Sequence, residues 1–293
     1  MAKKKFKAES KRMLDLMINS IYTNREIFLR EIISNASDAI DKRYYEEAKS
    51  GKTGLSRENF EIRIEPNKDA RTLTISDNGI GMSAEELEEN LGIIAKSGSL
   101  GLKTENEEAA KDTDIIGQFG VGFYSAFMVA KHIEVTSRKL GEEQAHVWIS
   151  DGADGYSVED GSRDEVGTTV QLTLRDDTED DKYDEFLEEY RLRSLVTKYS
   201  DYIRYPIVMN VEKSKMKEAS EEEKAKEDYQ PEYETYREDE RLNGMVPIWK
   251  KKKSEITAEE YNEFYKSKFF DWNDPLKVIN TNVEGVISYD ALL

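Results

Sequence analysis

Along residues 23–48 apolar side chains recur at helical spacing, at Ile27, Phe28, Ile32, Ile33, Ala36, Ala39 and Ile40. Thr23 and Glu26 have the Thr-x-x-Glu spacing of a capping box, so the pattern predicts a long amphipathic helix from Thr23. The period then changes to two. Phe60, Ile62 and Ile64 alternate with polar residues, Pro66-Asn67 offers a turn, and Leu73 and Ile75 alternate again, which predicts a β-hairpin. Ser83 and Glu86 form a second capping box ahead of a short helix to about Leu91. Residues 92–122 are glycine-rich without a steady period, and this segment is expected to be mobile. Strand-like runs follow at Ile133–Ser137, His146–Ser150, Tyr156–Glu159 and Thr168–Leu174, then a helix over Tyr183–Lys198 and a strand over Ile207–Val211. Helices interleaved with hairpin-joined strands predict an α+β fold, a two-layer α/β sandwich on a mixed, mostly antiparallel sheet.

The pattern breaks at Glu212. From there to Arg241 the chain holds 12 acidic and 7 basic residues in 30, too few apolar ones to bury a core, so it reads as a flexible charged linker. A second region opens at Leu242, in which Tyr261, Phe264, Tyr265, Phe269 and Phe270 fall at helical spacing suited to a core. The chain stops at Ser288-Tyr289-Asp290-Ala291-Leu292-Leu293 with no polar tail, so the expected organisation is a domain over 1–211, a linker over 212–241, and the truncated α/β start of a second domain over 242–293.

Composition narrows the function. The 43 Lys and Arg against 61 Asp and Glu leave a net charge of −18, which argues against gripping a phosphate backbone. There is no cysteine, which excludes disulfides and thiolate metal sites, and two histidines, His132 and His146, cannot build a histidine-rich one. Met1-Ala2-Lys3-Lys4-Lys5-Phe6 starts like a leader, but Asp15 and Asn19 interrupt the apolar run that should follow. The longest uncharged stretch, Ile115–Ala130, has 16 residues and three glycines, too short for a membrane span. The expectation is a cytoplasmic protein that engages neither membrane nor nucleic acid.

Three groups of residues carry candidate chemistry. On the long helix, Glu31, Asn35 and Asp38 lie within about 60° of one another, so two carboxylates and an amide share a face. This is either a solvated helix face or a place where Glu31 activates water and Asn35 ligates Mg²⁺. The second is Asp77-Asn78-Gly79-Ile80-Gly81-Met82 at a strand end, either an ordinary turn or a carboxylate placed to accept from an exocyclic amine, with Met82 against a flat ring. The third is Gly117-Gln118-Phe119-Gly120-Val121-Gly122-Phe123, glycines ahead of an apolar helical pattern, where backbone N–H groups could hold phosphate. It matches neither the dinucleotide fingerprint nor a Walker A loop.

In order, Glu-x-x-x-Asn-x-x-Asp, Asp-x-Gly-x-Gly, Gly-x-x-Gly-x-Gly and Gly167-Thr168-Thr169 resemble the Bergerat nucleotide fold of the GHKL superfamily. Within it, Tyr22–Glu31, Ser34–Ala39, Ile94–Gly98 and Ile116–Ser125 resemble the ninety-kilodalton heat-shock chaperones, in their bacterial form, densely over residues 4–211. The likeness resumes at Pro247-Ile248-Trp249 and Asn273-Asp274-Pro275-Leu276, which look like the start of that family's middle domain.

The resemblance implies an ATPase using ATP/ADP and Mg²⁺, with Glu31 activating water and Asn35 as the Mg²⁺ ligand. It implies that Asp77 holds the adenine amino group with Thr168 behind a water, within a nucleotide site that includes Asp38, Gly81 and Met82. Asn90 and Lys96 would lie near ribose and phosphates, and Gly120, Val121, Gly122 and Phe123 would form the phosphate cradle. Residues from about Ser97 to Gln118 would be a mobile lid. It also implies unfolded client proteins as partners and a homodimer formed through a C-terminal domain beyond Leu293, where the family's activating arginine also lies, so turnover by these residues should be slow. Two alternatives stay open: a nucleotide-regulated binding module without useful turnover, and another GHKL ATPase of the gyrase or MutL type.

Overall fold

The structure, a computed structural model, describes residues 24–51, 54, 56–92, 122–152, 155–217, 232–269, 271–283, 285 and 289–293. Thr23, Lys96, the expected lid and most of the glycine loop, including Gly120 and Val121, lie outside the described residues.

The first periodic segment is helix α1, Ile27–Lys49. It begins later than expected. Thr23, one half of the expected box, lies outside the described residues, and Glu26 itself stands at the N-cap, making no side-chain cap bond. Its carboxylate is drawn away to Arg191, Lys198 and Tyr199, while Asn24 Oδ1 accepts the Glu26 N–H at 3.1 Å. The hairpin forms as β1 (Ile62–Asn67) and β2 (Thr72–Asp77). Its turn falls later than Pro66-Asn67, over residues 68–71, where Asn67 Oδ1 accepts from Ala70 N and Arg71 adopts φ 52°. Helix α2, Ala84–Leu91, opens with the predicted Ser83/Glu86 capping box.

Strands β3 (Ala130–Arg138), β4 (Ala145–Ser150), β5 (Tyr156–Gly161) and β6 (Gly167–Leu174) follow. The single helix expected over Tyr183–Lys198 is two pieces, a 3-10 turn at Asp184–Leu187 and α3 at Glu189–Tyr199, with Glu188 extended between them. The break has a packing cause. A continuous helix burying Tyr183, Phe186 and Leu187 would also turn Tyr190 inward, whereas the step at Glu188 exposes Tyr190 and buries Leu192, Leu195 and Val196.

Strands β7 (Ile207–Met216) and β8 (Tyr233–Arg241) complete an eight-stranded sheet, order β5-β4-β3-β6-β2-β1-β7-β8. Every neighbouring pair is antiparallel except β1 with β7. The expected α+β sandwich on a mostly antiparallel sheet is therefore observed. Residues 212–217 and 232–241, read as linker, instead lie in or beside an edge hairpin. Lys215 stands opposite Glu234, and Lys217 and Lys213 pair with Glu232 and Glu238, so charge pairing takes the place of burial. Residues 218–231 lie outside the description.

The inner face of the sheet is set by strand alternation. Ile62, Ile64, Leu73, Ile75, Ile133, Val135, Val170 and Leu172 are buried, as are Phe28, Leu29, Ile32, Ile33, Ala36 and Ile40 of α1. These residues belong to a compact unit that reaches Asp201 and resumes over Tyr205–Asn243. Tyr202–Arg204 and Gly244–Leu293 form another, containing helix α4 (Ala258–Phe269) and the hairpin of β9 (Asn280–Val283) and β10 (Tyr289–Leu292). Helix α4 does not form the expected core: none of its described residues is buried, and Phe269 is exposed. Phe264 meets Trp249 edge-on, and Phe270 lies outside the described residues. Among the described residues no helix is long and apolar enough to cross a membrane.

Candidate functional site

The apolar inner face ends in a row of polar side chains. Asp77 continues the inward phase of Leu73 and Ile75, Thr168 that of Val170 and Leu172, and Ser137 that of Ile133 and Val135. The ladder sets Asp77 opposite Thr168 and Thr168 opposite Ser137, so adjacent strands β2, β6 and β3 present one carboxylate and two hydroxyls side by side, all buried. The Ser137 and Thr168 hydroxyl oxygens are 2.9 Å apart, and Met82 N–H donates to Ser137 Oγ at 2.8 Å. Ser137 was not singled out from the sequence; its only signal is a hydroxyl standing in the apolar phase of a strand.

Asp77 is held from behind. Gly79 N–H donates to Oδ1 at 2.8 Å, and Ile80 N–H donates to Ala39 O of α1 at 3.0 Å, docking the Asp-x-Gly-x-Gly loop on the helix. Burial pushes the Asp77 carboxyl up to about 6, while the Gly79 N–H, the Arg163 charge, the Thr168 backbone and the Arg43 charge oppose it. Two glycines are obligatory here. Gly81 adopts φ +68°, and a Cβ on it would stand 2.0 Å from Arg138 O. A Cβ on Gly167, at φ +131°, would stand 2.1 Å from Asp77 O. The loop then feeds α2, where Asn90 Nδ2 lies 3.8 Å from Met82 Sδ, so Asn90 and Met82 are brought together.

The second cluster is built on α1. Glu31 is half-buried, with Oε1 accepting from Arg30 Nε at 3.1 Å. Its Oε2 lies against Gly122, where a Cβ would come within 2.2 Å of it. Gly122 and Phe123 open a 3-10 helix, Gly122–Met128, in place of the expected α-helical pattern. Its buried residues include Phe123, whose ring meets Trp148 at 5.6 Å, and Tyr124, whose hydroxyl donates to Leu91 O at 2.8 Å. Asn35, one turn beyond Glu31, is exposed, whereas Asp38 is buried, with the Lys42 ammonium one turn further along α1. Of the residues proposed from the sequence, the structure therefore groups Asp77, Gly81, Met82, Asn90 and Thr168 at the sheet end. Glu31, Asn35 and Asp38 share α1, with Gly122 against Glu31.

Such an arrangement can receive a flat amine-bearing ring at a buried acceptor. The family model described as "Histidine kinase-, DNA gyrase B-, and HSP90-like ATPase" matches residues 22–176, which contain both clusters. The chain belongs to this ATPase family. A second family model, "Hsp90 protein", matches residues 185–234 and 215–293, so the two matches place the ATPase-family residues ahead of the HSP90 ones. Among curated proteins, the chain is 55% identical over 293 residues to the "Chaperone protein HtpG" of Clostridium acetobutylicum. It is 54% identical over 294 residues to the proteins of that name from Clostridium perfringens and Bacillus subtilis. Each alignment covers all of this chain and 45% of the relative, so the ATPase-family chain spans a little under half the length of these proteins.

Proposed function

We propose that this chain is the ATP-binding and ATP-hydrolysing N-terminal region of an HtpG-type chaperone. The observation that carries the reading is the buried Asp77 carboxylate at the end of β2, backed by Gly79 N–H and flanked by Thr168 and Ser137. In a dry site it can accept from an adenine amino group, with the Thr168 hydroxyl reaching the ring through a water and Met82 packing on its face. Phosphates would run toward Gly120, Val121, Gly122 and Phe123, with Asn90 and Lys96 near ribose and phosphates.

Glu31 lies against the Gly122 backbone, which suits a carboxylate that orients water at the terminal phosphate and takes its proton. Asn35, exposed on α1 one turn beyond Glu31, would supply one hard oxygen ligand to Mg²⁺ and the phosphates others. The ion would neutralise phosphate charge. Client proteins as partners, dimerisation of the longer protein and a cytoplasmic location belong to the same proposal.

Binding and chemistry rest on different residues, which supplies the test. Glu31→Ala should retain ATP affinity and lower single-turnover hydrolysis by about 10²–10⁴. A Glu31→Ala protein that hydrolyses ATP as fast as its parent would remove Glu31 from the mechanism.

A further inference from the structure

Arg163 lies in the connection between β5 and β6, a position with no motif to mark it. Each of its three guanidinium nitrogens donates a hydrogen bond. Nε donates to Glu165 O at 3.0 Å, one terminal nitrogen to Thr169 Oγ1, and the other to the backbone O of Asp77 at 2.8 Å. Thr169 sits beside Thr168 on β6, and β6 is the strand paired to Asp77. The Gly167 backbone packs so tightly on the Asp77 carbonyl that no side chain fits at 167, and Arg163 reaches that carbonyl from four residues away. The half-buried cation is thereby seated against the backbone of the residue to which adenine recognition is assigned.

We propose that Arg163 is a positioning residue for nucleotide recognition, which pins the end of β2 and supplies the positive charge that keeps Asp77 a hydrogen-bond acceptor. This rests on the reading of Asp77 as the group that takes the adenine amine. An ionised Asp77 offers only acceptors. Once protonated it carries an O–H, and in its held geometry, with Oδ1 on Gly79, the oxygen left for the amine becomes a donor. Burial favours the protonated form, and the charges facing Asp77 that oppose it are Arg163 from the β5–β6 connection and Arg43 from α1. Arg163 itself faces Asp77, Glu165 and Arg138, and burial lowers its own pKa from the ordinary value. The Arg43 guanidinium is shared with Asn78 O and Glu47.

The test is the carboxyl titration of Asp77, followed by ¹³C NMR in the ligand-free protein, beside calorimetric ADP titrations at pH 6, 7 and 8. Removing a neighbouring charge with Arg163→Gln should raise the Asp77 midpoint by about one pH unit. From a starting value of about 6, the ionised fraction then implies ADP affinity lower by about fivefold at pH 6 and about twofold at pH 7, converging at pH 8. Arg163→Lys, which keeps the charge, should return the midpoint most of the way. Thr169→Val, which loosens the seat of the guanidinium without touching its charge, should move the midpoint the same way by less, and it carries the test if Arg163→Gln does not fold. An unchanged midpoint, or an affinity loss equal at pH 6 and pH 8, would overturn the proposal. Failure of the parent protein to bind ADP would instead overturn the adenine reading, and the NMR titration would still decide what Arg163 does to Asp77.

Discussion

Ser137 and Thr168 meet hydroxyl to hydroxyl at 2.9 Å, buried, on adjacent strands at the end of an otherwise apolar face. The contact couples Thr168, which stands opposite Asp77, to the loop that carries Met82, whose N–H also ends on Ser137. Ser137→Ala would leave the Met82 N–H without that acceptor and Thr168 free to rotate. At about 0.5–1.5 kcal/mol for such a bond, ADP affinity should fall about two- to tenfold. Calorimetric titration of this variant reads the effect directly, and parental affinity would mean that the hydroxyl row does not set the pocket.

Gly122→Ala separates position from chemistry at Glu31. The new Cβ would fall 2.2 Å from Oε2, the mobile end of a flexible side chain, so the carboxylate rather than the backbone should give way. A displacement on the order of 1 Å can cost about 10²-fold in rate. Turnover should drop by that order while the melting temperature moves by less than about 4 °C. Single-turnover kinetics paired with a thermal melt checks both, and undiminished turnover would argue against the placement of Glu31.

Glu26 joins α1 to α3. Burial opposes its ionisation, but hydrogen bonds from Arg191, Lys198, Tyr199 and Asn24 prevail and hold the carboxyl at about 2. Because the folded-state value is depressed, the stabilisation is present above the unfolded value near 4.5 and is lost as pH falls toward 2. Glu26→Gln should therefore cost about 1 kcal/mol at pH 7, after allowance for solvent screening, and nothing near pH 2. Urea unfolding of both proteins at several pH values measures this, and a cost independent of pH would contradict the ion-pair account.

What the sequence made legible follows from where its signals are local. The helical phase of Ile32, Ile33 and Ala36 and the alternation of Ile62, Ile64, Leu73 and Ile75 report burial on one face, so α1 and the first hairpin could be read directly. Asp77, Gly79 and Gly81 were legible because a carboxylate followed by spaced glycines is a backbone requirement written in residue types. Ser137 and Arg163 act across strands, and no local spacing encodes a partner 31 or 86 residues away. The edge hairpin of β7 and β8 was hidden for a different reason. Its Lys and Glu pairs have the composition of a solvated linker, and only the register that sets Lys215 opposite Glu234 distinguishes the two. The step at Glu188 did leave a trace, the five-residue gap between buried Leu187 and Leu192, which a single helix cannot bridge in phase.

The central claim is that the buried carboxylate of Asp77 exists to read adenine, and ADP titration calorimetry of the parent and of Asp77→Asn tests it most directly. Loss of a charge-assisted bond worth about 1.5–3 kcal/mol predicts an affinity at least tenfold weaker. The same substitution should stabilise the fold at pH 7, because a carboxyl raised to about 6 loses stability as pH rises from its unfolded value near 3.8, and Asn removes that cost. Weaker ADP binding by a protein that melts no lower than its parent is the predicted result. Unchanged ADP affinity in a folded Asp77→Asn protein would contradict the account.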